Sequence, residues 1–188
     1  RNTRGRIVSA AWKLFYEQGY EDTTVEEIIE LSGTSKGSFY HYFDGKDALL
    51  STLSSLFDEK YEELTGLLTP EMTAMEQLLF LNRELFHMIE DSISLDLLAR
   101  LYSTQLTTNG EKHLLDHNRI YYKLLRKIIA KGQAEGQLSS RSNVNEMVKL
   151  YALCERALLY DWCLCAGEYA LTEYSAKVLP GFLSSFLP

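Results

Sequence analysis

The most constraining feature of the chain is the stretch VEEIIELSGTSKGSFYHYFDGKDALL, residues 25 to 50, in which one glycine separates two short amphipathic runs and a third helix start follows at once. Thr24 precedes the first run and Glu27 lies three residues after it, the capping-box spacing that satisfies free N–H groups at a helix start. Gly33 ends that run. Ser35 is placed to cap a second helix over residues 36 to 42, and Asp44-Gly45-Lys46 breaks the chain before a long helix predicted from about 46 to 67. A helix of seven residues has little stability of its own. Its presence between two breaks asks for a reason.

The rest of the chain frames that reason. With 188 residues, 46% hydrophobic and 24% charged, it is long enough to bury a sizeable core. Apolar residues recur at spacings of three and four, and only three prolines interrupt them. The expected fold is therefore all-α, without strands. Helices are predicted at 4 to 18, 71 to 90, 93 to 106, 112 to 134, 143 to 166 and 171 to 186, with Pro70 marking a joint. The predicted organisation is a three-helix head over residues 1–47, the connecting helix 46–67, and a larger helical body within residues 48–188.

A net charge of −7 excludes non-specific polyanion binding through a broad basic face. Residues 1 to 47 hold six Lys or Arg against eight Asp or Glu, so any nucleic-acid footprint must be local. Arg1, Arg4 and Arg6 are expected in a leading arm, with Lys36 and Lys46 at two helix starts. Three cysteines, all between Cys154 and Cys165, predict a reducing compartment, the cytoplasm. The apolar run LYALCERALLYDWCLCA is interrupted by Glu155, Arg156 and Asp161, so it is expected as a buried helix and not a membrane span.

Two short helices joined through Gly33 and Thr34 form a helix-turn-helix, whose second helix enters the DNA major groove by its N-terminal end. The small residues Ser35, Gly37 and Ser38 then let the backbone approach phosphates closely, where the helix dipole favours anions. Lys36 adds a charge-assisted contact to phosphate or to a guanine edge. Tyr40 and His41 stand one turn further on, and Lys46 is expected to grip phosphate. Phe39 and Phe43 are better placed to pack inward.

The segment IVSAAWKLFYEQGYEDTTVEEIIELSGTSKGSFYHYFDGKDALL resembles the N-terminal domain of the TetR family of bacterial transcriptional regulators, whose pattern reads A…LF…G…T(T/S)V..IA..AGVSKG.LY.HF..K..LL. The resemblance runs from Ile7 to Leu50. It implies DNA contacts at Thr24, Ser35, Lys36, Gly37, Ser38, Tyr40, His41 and Lys46. Thr34, Tyr42 and Gly45 depart from the usual valine, histidine and Ser or Asn cap. The first two leave the operator's identity open, and Gly45 is expected to loosen the next helix start.

The same resemblance implies a homodimer whose last two long helices pack with their copies, and Ala157, Leu158, Asp161, Trp162, Leu179, Phe182, Leu183 and Phe186 are the candidates for that seam. It also implies an effector pocket in the body. Candidates there are Phe80, Phe86, His87, Met88, Tyr102, His117, Tyr121, Tyr122, Tyr151, Cys154 and Glu155, although aromatic residues at helical spacing equally form core. His113 and His117 are four apart, as two imidazoles on one metal would be, but no third ligand is evident and no metal or cofactor is expected. The cysteines are expected as buried apolar side chains.

The predicted function is a ligand-responsive regulator, a repressor released from a near-palindromic double-stranded DNA operator when a small-molecule effector shifts the connecting helix. An architectural or nucleoid-associated protein without effector is the alternative. An enzyme is not expected: the chain has no nucleophile elbow and no phosphate-binding glycine loop.

Overall fold

The computed structural model describes residues 2–188, and among them every regular element is helical. In chain order these are α1 (Thr3–Gln18), α2 (Val25–Ser32), α3 (Lys36–Tyr42), α4 (Leu53–Thr65), α5 (Ala74–Ser92), α6 (Leu95–Thr107), α7 (Ile120–Ala134), α8 (Val144–Leu164) and α9 (Leu171–Phe182). Short 3-10 segments lie at Lys46–Thr52, His113–Leu115 and Leu183–Phe186. Arg1 lies outside the described residues. Arg4 and Arg6, expected in an arm, stand instead in the first turns of α1, which Asn2 caps by accepting the Gly5 N–H at 3.0 Å.

The predicted connecting helix is corrected at its start. Gly45 offers no side-chain cap, and residues Lys46–Thr52 wind as a 3-10 segment before α4 begins at Leu53. Likewise the helix expected from residue 71 starts at Ala74, where Thr73 and Glu76 form a reciprocal capping box. The helix expected from 112 starts only at Ile120. Asp116 accepts the Asn118 N–H at 2.9 Å in a local turn that holds the chain out of helix.

By packing, the chain divides into two units: the segment up to Leu56 together with Ser94–Leu114, and Phe57–Ile93 together with Leu115–Pro188. In the first, α1, α2 and α3 enclose a core of Ile7, Ala11, Phe15, Ile28, Phe39 and Leu50, to which α6 contributes Leu97. In the second, α5 packs on α7 and α9, and α8 on the same two helices. α9 begins without a cap of its own; Glu90 of α5 supplies one, accepting the Thr172 N–H at 2.7 Å.

One glycine in this second unit is required by space. A Cβ at Gly132 would stand 2.6 Å from the Ala74 Cβ and 2.8 Å from Leu138. Gly132→Ala should therefore destabilise the protein by about 1–3 kcal/mol through overpacking, read as a lowered midpoint in urea unfolding.

Candidate nucleic-acid interface

The α2–α3 pair is built from local chemistry. Thr24 Oγ1 accepts the Glu27 N–H at 3.2 Å, and Glu27 Oε2 accepts the Thr24 N–H at 3.0 Å and the Gln18 Nε2–H at 2.7 Å. These bonds, the Thr24 backbone first, hold the Glu27 carboxyl below its ordinary value. Gly33 then takes φ 62° and ψ 34°, a left-handed conformation that returns its N–H to α2 carbonyls and ends the helix. Ser35 restarts the chain, its Oγ accepting the Ser38 N–H at 3.1 Å.

α3 is two-sided. Phe39 is fully buried, and Phe43 just past the helix end is nearly so, their ring centroids 5.9 Å apart. Lys36, Gly37, Tyr40, His41 and Tyr42 face solvent on the other side, with Thr24 and Ser35 also exposed and Ser38 half-buried. Six of the eight expected contact residues are thus exposed, and Ser38 and Lys46 are half-buried. Lys46 does not present a free ammonium: its Nζ donates to the Tyr20 carbonyl at 2.8 Å and lies 4.3 Å from the Tyr20 ring centroid. Sequence reasoning passed over the groove beside α1, where Arg6, Ser9 and Lys13 face Leu31 and Ser32. The spacing of Arg6 and Lys13, two helical turns apart on one face of α1, is the signal that could have located it.

In the second unit, six of the expected pocket residues, Phe86, Tyr121, Tyr122, Tyr151, Cys154 and Glu155, are buried. Glu155 accepts hydrogen bonds from the Tyr121 hydroxyl at 2.5 Å and Asn82 Nδ2 at 2.8 Å, and Asn82 Oδ1 accepts from Ser175 at 2.6 Å. Burial pushes Glu155 up to about 7, against the hydrogen bonds of Tyr121, Asn82 and Tyr151, which pull it down. The fully buried Tyr61 ring stands 4.9 Å from that of Tyr121, and its hydroxyl has no hydrogen-bond partner among the described residues.

Other expected residues fall elsewhere. His87 points to solvent and pairs with Asp91 at 3.1 Å. Phe80 and Met88 are half-buried, and Tyr102 lies on α6 in the first unit. His117 is exposed and stacks on Tyr122 at 4.5 Å. His113 sits in a 3-10 turn ahead of α7, so the two histidines share no helix face. Of the seam candidates, Leu158, Trp162, Leu179, Leu183 and Phe186 are buried in the chain's own core, whereas Ala157, Asp161 and Phe182 are exposed. Cys154 is buried and Cys163 half-buried, and burial pushes both thiols up to about 11.

Residues 7–53 match the family of bacterial regulatory proteins described as tetR family. The likeness is confined to the amino-terminal head. The same segment is 36% identical over 62 residues to the HTH-type transcriptional regulator QacR of Staphylococcus aureus, a match covering 33% of each chain. Two further curated relatives are matched over 29% and 22% of their length, so the chain spans about a third or less of these relatives. Over nearly its whole length the fold is that of solved regulators. FadR from Bacillus subtilis, in complex with stearoyl-CoA, gives a TM-score of 0.71 at 23% identity over 97% of this chain and 99% of that one. FadR from Thermus thermophilus, a TetR-family repressor in complex with lauroyl-CoA, gives 0.73 at 24% over 98% and 95%. Among the described residues no helix is long and apolar enough to cross a membrane.

Glu155 carries a pH signature. Its folded value lies above the ordinary 4.5, so the folded state holds its proton more tightly, and its contribution to stability is lost as pH rises from about 4.5 through about 7. The loss is on the order of 3 kcal/mol at one pKa unit per 1.36 kcal/mol. Urea unfolding between pH 5 and 8 should show that decline in the parent and a flatter profile in Glu155→Gln.

Proposed function

We propose that the chain is an effector-responsive DNA-binding transcriptional regulator of repressor type, acting as a homodimer on a near-palindromic duplex. The observation that carries the reading is the TetR-type head, with Phe39 and Phe43 anchored inward while Lys36, Gly37, Tyr40 and His41 stand free on the outer side of α3. That is the arrangement a recognition helix needs: an apolar back fixing its angle and a polar front meeting phosphates and base edges.

Dimerisation is supported by an unpartnered stripe on α8. Leu150, Leu153, Ala157, Tyr160 and Leu164 are exposed at alternating spacings of three and four, the period of a helix–helix seam. Tyr174 and Phe182 add exposed apolar area on α9. This outward set replaces the inward residues expected from sequence. Two-fold pairing would hold two recognition helices roughly 34 Å apart, one duplex turn.

The effector acts only through its different affinity for two states, and a change from 1:99 to 99:1 requires about 5.5 kcal/mol of that difference. Acyl-CoA molecules are the first effectors to test, because two proteins sharing this fold hold them. The body of this chain brings buried Tyr61, Tyr121, Tyr151 and Glu155 together as polar groups within an apolar core.

Enrichment of random duplexes should yield a near-palindromic site. On that site Lys36→Ala should weaken binding about tenfold and lower the salt slope by about one, as loss of one phosphate contact requires. Tyr40→Ala should weaken binding with folding intact. Tyr160→Glu should shift the protein to monomer in sedimentation. Lauroyl- or stearoyl-CoA should release the duplex; binding of either with unchanged DNA affinity would overturn the effector assignment, and failure to enrich any duplex would overturn the whole reading.

A further inference from the structure

The first unit contains a charged cluster that the helix-turn-helix does not require, centred on Tyr20 in the loop between α1 and α2. The ring is 3% exposed and has two cations against it: Lys46 Nζ at 4.3 Å and Arg100 Cζ at 4.8 Å from its centroid. Arg100 comes from α6, 80 positions further along the chain. Its Nη2 pairs with Glu21 at 2.7 Å, next to Tyr20, while its Nε donates to both carboxylate oxygens of Asp96 at 3.1 Å. The Tyr20 hydroxyl donates to Asp47, and Lys46 Nζ also reaches the Glu21 carbonyl at 3.4 Å.

The placement of these partners gives the cluster a consequence. Tyr20 and Glu21 lie in the loop that leads into the Thr24 cap of α2. Lys46 and Asp47 open the 3-10 segment three residues after α3 ends. One ring therefore ties the entry of α2 to the exit of α3, and the guanidinium of α6 holds that ring and its neighbour. α6 adds Leu97 to the same core as Phe39 and Leu50. Two cations on one buried ring repel each other, and Glu21, Asp96 and Asp47 offset that repulsion.

We infer that α6 is a working part of the DNA-reading head, with Arg100 a positioning residue that fixes the recognition helix through Tyr20 and Lys46. Lys46 is likewise a positioning cation and not a phosphate contact. The chain enters and leaves α6 from the second unit, at residues 93/94 and 114/115. The inference rests on the DNA-binding reading above.

The test uses the full chain and the duplex enriched by the parent protein, with affinity followed by fluorescence anisotropy across a salt series. Arg100→Ala should weaken binding about tenfold, the scale of a shielded cation–π contact plus an ion pair, while leaving the salt slope unchanged because Arg100 touches no phosphate. Arg100→Lys should recover part of that loss. Glu21→Gln decides the sign independently: removing an anion from the head would by long-range electrostatics tighten DNA binding, whereas loss of the Arg100 anchor should weaken it about threefold. Lys46→Ala should weaken binding at an unchanged slope. Parent-like affinity in Arg100→Ala, a slope lower by about one in either cation variant, or tighter binding by Glu21→Gln would overturn the inference while the parent still bound its duplex. A parent that enriches no duplex would overturn the DNA-binding reading itself.

Discussion

A seven-residue helix cannot hold itself together, because the backbone entropy lost in fixing its first turn is repaid by only a few hydrogen bonds. α3 persists because Phe39 is wholly buried and Phe43, just beyond the helix end, nearly so, and because Gly33 and Ser35 fix where it starts. Every outward property of the head follows from that anchorage. With the inner ring row seated against α1 and α2, the 100° rotation per residue leaves Lys36, Tyr40 and His41 no direction but outward. Removing the anchor would not merely destabilise the helix; it would erase the distinction between its two sides.

The head was legible in sequence because its determinants are local. Thr24 with Glu27, Gly33, and Ser35 with Ser38 act within four residues of one another, so spacing alone predicts their bonds. Thr73 and Glu76 carry the same signature, but Pro70 drew the expected start of α5 forward by three residues. Non-local determinants left no such trace. The alternation of apolar residues on α8 and α9 marks two buried or buriable sides, and only packing against α5 and α7 decides that Leu158 and Trp162 turn inward while Ala157 and Tyr160 turn out. Lys46 illustrates the same limit: nothing near it in sequence announces that its ammonium donates to the carbonyl of Tyr20, 26 positions earlier.

The second unit joins its helices through a buried polar network where an apolar core would serve stability better. Desolvating a carboxyl costs several kcal/mol unless hydrogen bonds compensate, and Glu155 resolves the cost partly by holding its proton near neutral pH. Its partners Asn82 on α5 and Tyr121 on α7 come from two other helices, and Asn82 carries the chain of bonds on to Ser175 on α9. Such a network specifies a single register of those helices, since sliding any one of them orphans a buried group. The Tyr61 hydroxyl of α4, buried and unpartnered beside it, shows that the network is not closed.

The net charge of −7 opposes the proposed approach to a polyanion, and the placement of charges in the first unit bears on that opposition. Of the acids around the recognition helix, Glu27 is engaged by Thr24 and Gln18, Glu21 by Arg100, and Asp47 by Tyr20. Each of these carboxylates is turned toward a donor or cation of the head itself. Lys36, by contrast, has no carboxylate among the ion pairs of the described residues, and neither does Arg6 or Lys13 along the adjoining groove. Screening over about 8 Å at physiological salt then makes the local arrangement, and not the total, the field that a phosphate meets. With Glu21, Glu27 and Asp47 each held by a group of the first unit and Lys36 exposed on α3, the arrangement suits the proposed role: weak attraction to arbitrary duplex, and contacts that form only when the outer row of α3 is brought into register.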